Sequence, residues 1–279
     1  MEIAELKPGI FCCLMANETA NAGFVVTRRG VVVIDTLNTP ARGRELAVAI
    51  EKRTGKPALF VINTHHHYDH VFGNQAFDVP VIAHRALSEQ LSQAADRDLM
   101  PVAIAAHLVD HPEDRWLVDE LELIYPNIIF ERRLVLDLPP VRMIVHHMGG
   151  HTPDTCVVDL PDAGVLFASD LVFEGRVPFL RHAHIEGTIQ ALHRLEGFGT
   201  RTVVPGHGAV CDTDYVLRFR DYLQDLRDGV AAMIDQGWDK ADVLDSDRLP
   251  RWWSEDRPDL RRANVERVYE ELIKSTAPA

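Results

Sequence analysis

Short apolar runs bounded by turn-forming residues dominate the first third of the chain. Residues 10–15, 23–27 and 31–35 have strand length and predict three strands. Thr39-Pro40 opens a predicted helix over about 41–54, with Thr39 as N-cap and Pro40 at the first helical position. Lys56-Pro57 ends that helix, and residues 59–63 predict a buried strand leading directly into His65-His66-His67-Tyr68-Asp69-His70. A further strand is expected at 79–83. Residues 85–125 read mainly as helix, punctuated by Pro101 and Pro112, and form a helical insertion with the position of a substrate lid. Strand character returns at 128–130, 134–136, 143–145, 156–158 and 165–167. A helix marked by Ile189, Leu192 and Leu195 follows, then a strand at 202–204. Beyond Cys211 the pattern turns helical. Val216, Phe219, Leu223, Leu226, Val230 and Met233 recur at three- and four-residue steps, and Val265, Val268, Tyr269, Leu272 and Ile273 mark a second apolar face.

This order repeats loosely in two halves. Two sheets packed face to face with helices outside would accommodate it, as an α/β fold. The expected division is a core over 1–211, with the insertion at 85–125, and C-terminal helices over 212–279 packed on that core. The tail helices offer a face for a homodimer.

Composition changes the picture in three places. The net charge of −13 over 279 residues disfavours a nucleic-acid partner. The acidic start Met1-Glu2-Ile3-Ala4-Glu5 lacks the basic and apolar regions of a secretory signal, and no apolar run has membrane-spanning length. Cys12, Cys13, Cys156 and Cys211 have neither metal-finger nor redox spacing and read as core thiols. Together these predict a cytoplasmic protein. The 14 histidines are the unusual feature, because histidine is both a common metal ligand and an acid–base group.

Their placement carries the chemistry. In His65-x-His67-x-Asp69-His70, an extended chain points His65 and His67 to the same side, while Asp69 and His70 reach a second point nearby. Three imidazoles and a carboxylate within six residues suit zinc or a similar metal. His151 lies in Gly149-Gly150-His151-Thr152-Pro153-Asp154. Asp170 follows the strand at 165–168, and His207 sits in Pro205-Gly206-His207-Gly208 after another strand. The flanking glycines let backbone and metal approach closely.

Taken in this order, these residues resemble the metallo-β-lactamase superfamily over roughly residues 10–210. The resemblance implies an αββα sandwich with two metals in a cleft between sheet edges. It implies that His65, His67 and His151 bind the first metal, that Asp69, His70 and His207 bind the second, and that Asp170 bridges them. Two zinc ions are expected, with iron or manganese as alternatives. The complete set with Asp170 looks like the glyoxalase II-like and SoxH-like dinuclear zinc hydrolases. However, residues 171–180 lack the basic, Tyr-containing segment of glyoxalase II itself.

The expected function is hydrolysis of a small-molecule thioester, ester or lactone by a metal-bridged hydroxide, with Asp69 orienting it. Competing expectations are a β-lactamase-like amide hydrolase, an iron-dependent oxidoreductase of the same fold and a non-catalytic metal-binding protein. Arg176, His182 and His184 are the candidate substrate contacts, and a guanidinium at 176 would match a carboxylate. His66 and Tyr68 alternate away from the ligands and are expected to support or pack.

Overall fold

Residues 1–15, 19–96, 120–253 and 257–276 are described in a computed structural model. β1 (Glu2–Lys7), β2 (Ile10–Leu14), β3 (Ala22–Val26), β4 (Val31–Ile34), β5 (Ala58–Ile62), β6 (Val81–His84) and β7 (Ile128–Phe130) form one sheet in chain order. Its first four strands are antiparallel, and β4 to β7 run parallel. β8 (Arg133–Leu138), β9 (Val141–His147), β10 (Cys156–Leu160), β11 (Val165–Phe173) and β12 (Thr202–His207) form the second sheet, in the order β12-β11-β10-β9-β8. Only β11 and β12 are parallel there.

Period-two alternation explains the layers. Cys12, Val25, Val32, Ile62 and Ile82 of the first sheet pack against Val145, Cys156, Val158, Phe167 and Val204 of the second. Their neighbours Phe11, Cys13, Phe24, Val33 and Val61 point the other way, onto Leu46 and Ile50 of α1 (Pro40–Thr54). The opposite face of the second sheet, with Val157, Leu166 and Val203, is covered by α4 (Ile185–Glu196) and α5 (Thr213–Asp235) through Ile189, Leu192, Phe219 and Leu223. α6 (Lys240–Leu244) and α7 (Pro258–Thr276) add Val243, Leu244, Val265 and Val268 to the same core. This is the αββα architecture that the resemblance implied. Truncating a fully buried member such as Leu46 to Ala should cost about 2–5 kcal/mol.

Thr39 caps α1 by accepting from Arg42 N at 3.0 Å, as the sequence predicts, and Gly55, just before Lys56-Pro57, closes it in the left-handed region. Three expectations change. β1 was not foreseen, because its alternation is half polar and gives a weak apolar run. The insertion is helical over α3 (Arg85–Asp96), whereas 120–127 has no regular structure; residues 97–119 lie outside the described set. β11 extends to Phe173, so Asp170 lies within a strand, at an irregularity between Phe167 and Phe173. Cys12, Cys13 and Cys156 are buried, Cys211 is partly buried, and all four are free thiols. Among the described residues no helix is long and apolar enough to cross a membrane.

Candidate metal centre

Strand ends from both sheets meet at one edge of the sandwich. Parallel β4 and β5 deliver Asp35 and residues 63–70 side by side. The β9–β10 connection carries His151, and parallel β11 and β12 bring up Asp170 and His207. The sheets are tied at this edge. Cys156 N donates to Thr64 O at 2.8 Å, and Asn21 Nδ2 donates to Pro205 O and Gly208 O at 3.0 and 2.8 Å.

The first motif is not fully extended. The chain bends through His65 and His66 and enters α2 (Tyr68–Val71), one helical turn. His70 is anchored there because its carbonyl accepts from Thr36 N at 2.9 Å and from Asn63 Nδ2 at 3.3 Å. Gly206 is needed for close approach: a Cβ there would stand 1.9 Å from Asp170 Oδ1.

Two donor sets result. His65, His67, His151 and Asp170 each offer an atom within 4.8 Å of the others, and Asp69, His70 and His207 do the same. Asp170 lies between the sets. Its Oδ2 is 3.8, 3.4 and 3.5 Å from Nε2 of His65, His151 and His207, and its Oδ1 is 3.2 Å from His70 Nε2. Asp69 Oδ2 is 3.4 Å from His207 Nε2, and His67 Nδ1 is 3.1 Å from His151 Nε2. Ligand atoms placed tetrahedrally about 2.0–2.1 Å from one ion stand about 3.4 Å apart, so this is the spacing of atoms sharing a cation. His65 Nε2, His70 Nε2 and Asp170 Oδ1 are buried and have no hydrogen-bond partner. Such atoms cost about 1–3 kcal/mol each when left unpaired, a cost that a bound cation removes. The residues therefore fit a pair of divalent metals.

Burial pushes the His65 and His67 imidazoles well below their ordinary pKa, reinforced by neighbouring histidines, and lowers His151 to about 4. Their nitrogens are thus neutral, as ligation requires. Burial acts the same way on His70, but the charges of Asp170 and Asp35 outweigh it and raise this group. Burial works against ionisation of Asp170, yet His207 and His70 hold its carboxyl well below the usual range.

One carboxylate orients a ligand in each set. Asp35 Oδ2 accepts from His70 Nδ1 at 2.7 Å and from Thr64 Oγ1 at 2.7 Å. Thr64 Oγ1 in turn accepts from Ser169 Oγ at 2.8 Å, which leaves Ser169 Oγ to accept from His65 Nδ1 at 3.2 Å. This chain places the ring protons on Nδ1 and turns both Nε2 lone pairs inward. His182 Nδ1 lies 2.9 Å from His67 Nε2, and Asp154 Oδ1 lies 2.8 Å from His66 Nδ1. Asp35 and Ser169 hold positive φ angles of 56° and 53°, backbone strain concentrated beside the cluster. Sequence reasoning missed Asp35, Thr64, Ser169 and Asp154. For Asp35 the available signal was an acidic residue ending an apolar strand.

The three candidate substrate contacts separate. Arg176 Nη1 donates to His207 Nδ1 at 3.2 Å, and His182 stands against His67 and Phe179. His184 instead caps α4, accepting from Gly187 N at 2.9 Å with Glu271 at 3.6 Å, and makes no contact with the seven donors. Its helix-capping side chain gives the sequence no distinguishing mark from a site histidine.

The profile of the metallo-β-lactamase superfamily matches residues 17–207. The human acyl-coenzyme A thioesterase MBLAC2 is 28% identical over 156 residues, which cover 53% of this chain and 56% of that protein. A linear primary-alkylsulfatase from a Pseudomonas species is 22% identical, over 86% of this chain and 53% of its own length. The chain thus spans about half the length of these relatives. Among solved structures, the sec-alkylsulfatase Pisa1 from a Pseudomonas species superposes with a TM-score of 0.76, over 99% of this chain and 52% of that one. At 17% identity that likeness is one of fold.

Proposed function

The chain belongs to the metallo-β-lactamase superfamily, and on that premise we propose that it is a metal-dependent hydrolase of acyl thioesters, with esters and lactones as related substrates. The observation that carries this reading is the place of Asp170 between two donor sets. His65, His67 and His151 would hold one metal, Asp69, His70 and His207 a second, and Asp170 would contact both. Zinc suits a nitrogen-rich set of this kind, with iron and manganese as alternatives. When bound, such a pair acidifies water and polarises a carbonyl.

The remaining chemistry falls to the chain's own groups. Asp69, 14% exposed at its side chain, faces the open side of the cluster and would orient the attacking water. A ligating His207 Nε2 puts the ring proton on Nδ1, where Arg176 no longer finds an acceptor. Arg176 is then free to hold an anionic group of the substrate, which its planar fork suits. His182 positions His67 rather than the substrate.

The thioester preference is supported by the human relative. A second reading, hydrolysis of a sulfate ester, is favoured by the alkylsulfatase match over 86% of the chain. The test is a panel with zinc-loaded protein: acyl thioesters, lactones, aryl esters, alkyl sulfates, phosphodiesters and a chromogenic β-lactam, with metal content measured on the same samples. Thioester turnover dominating the panel is the expected result. Turnover of the alkyl sulfate alone would replace the first reading by the second, and metal-loaded protein inert on every substrate would end both.

A further inference from the structure

Away from the metal centre, the outer face of the second sheet carries a cavity of about 670 Å³ lined by Arg132, Arg133, His146, His147 and Arg194. Local pairing builds it. Arg133 and His146 are cross-strand partners on β8 and β9, and the inward positions on β8 are taken by Leu134, Leu136 and Leu138. Arg133 therefore stands on the outer face. Arg194 comes from the last turn of α4, and Phe198 just beyond packs against His146 with ring centroids 4.8 Å apart. His147 closes the inner side, stacked on His84 at 3.7 Å and bonded through Nε2 to Pro153 O at 2.8 Å.

Three arginines on one cavity are unexpected in a chain of net charge −13. Nearby acids do not neutralise them: Glu131 pairs with Arg85, and Glu196 pairs with Arg220 and His193. Among the described residues, no carboxylate lies within 4.0 Å of the guanidinium of Arg132, Arg133 or Arg194. Burial lowers the His146 imidazole, and the charges of Arg133 and Arg194 lower it further, so both guanidinium groups act on the same spot. Like charges left converging without a counterion repel, unless a multivalent anion completes the site.

We propose that this cavity is an anion subsite that takes a phosphate ester or pyrophosphate group, through forked contacts from Arg133 and Arg194. Its place gives it a use that rests on the thioester reading above. His147 lines the cavity, and His151 of the metal cluster follows four residues later, at most about 14 Å along the chain. In a coenzyme A thioester the phosphates are separated from the scissile bond by the pantetheine arm. Such a substrate needs a polar anchor apart from the reacting centre, and binding energy from that anchor serves the chemistry at the other end.

The experiment has two arms at about 0.15 M ionic strength. Isothermal titration calorimetry measures binding of pyrophosphate and of adenosine 3′,5′-bisphosphate to wild type and to R133Q/R194Q. Circular dichroism confirms that the variant is folded, and R132Q is the second variant. The kinetic arm compares kcat/KM for an acyl-coenzyme A with that for the same acyl group on N-acetylcysteamine, which lacks the phosphates. The proposal expects binding to weaken about tenfold or more in the double variant. It expects the ratio of the two kcat/KM values to fall by a similar factor. Weakened phosphate binding with an unaltered ratio supports the subsite but assigns it to a free phosphate. Absent binding in wild type, or equal binding in the folded variants, overturns it. Failure of the thioester reading would show separately, as no turnover of either thioester while the calorimetric arm still decides the subsite.

Discussion

The two donor sets are built from the same residue types and differ in enclosure. His65, His151 and Asp170 are sealed, with His65 Nε2 and Asp170 Oδ1 left without a hydrogen-bond partner, while His67 is only partly buried and meets His182. In the second set His70 is equally buried, but Asp69 and His207 keep 14% and 11% of their side chains exposed, and Arg176 reaches His207 from the open side. The first set therefore presents pre-arranged neutral nitrogens, sealed at His65 and His151 and open to its rim at His67. On the proposed reading, the second is the side from which water and substrate would enter. In a two-metal site this asymmetry separates a holding half from a working half.

Asp170 is the residue that joins them, so Asp170→Ala gives the largest effect. Metal content should fall at both sets and kcat/KM should drop on the order of 10³-fold. His207→Ala, by contrast, should retain close to one metal per chain; elemental analysis of the two variants distinguishes a shared carboxylate from two independent sites. Asp35→Asn comes next. It removes the acceptor that fixes His70 directly and His65 through Thr64 and Ser169. A loss of about 10–100-fold in metal affinity at both sets is expected. A loss confined to one set in a competition titration would break the chain of bonds proposed to link them.

Arg176→Gln probes only the open side. The loss of one charge-assisted contact should raise KM for an acidic substrate roughly tenfold, with kcat and metal content held. A fall in kcat at constant KM would instead place Arg176 at the reacting atoms. The smallest effect concerns the first set without metal. His151, lowered to about 4 in the folded chain, binds a proton more readily once unfolded. Stability of the metal-free protein should therefore fall as pH drops from about 6.5 towards 4. His65 and His67 act in the same direction, and the lowered Asp170 extends the loss further into acid. The raised His70 keeps its full contribution below 6.5 and loses it only at higher pH, so it does not oppose the trend. Thermal melts across this range should show Tm declining, and a flat or rising Tm would contradict the enclosure assigned to the first set.

Much of this arrangement was legible in the sequence because both signals are local. Strand runs such as 31–35 and 59–63 declare themselves by composition, and His65-x-His67-x-Asp69-His70 follows one of them within a few residues. His151, Asp170 and His207 gained meaning only as an ordered set. What stayed hidden depends on contacts between distant segments. Asp35 meets Thr64 and His70 across parallel strands, and Ser169 reaches Thr64 from the other sheet. The arginine cavity pairs β8 with β9 and then borrows Arg194 from a helix some fifty residues on. His182 and His184, two residues apart, looked equivalent; only the start of α4 at Ile185 separates a group beside His67 from a helix cap.

The most direct test is a zinc titration of metal-free protein, with bound metal counted by mass spectrometry and acyl thioester hydrolysis followed in the same samples. The account predicts two zinc ions per chain, with activity rising to its plateau only as the second is bound. A plateau at one zinc per chain, or turnover by the metal-free protein, would contradict it.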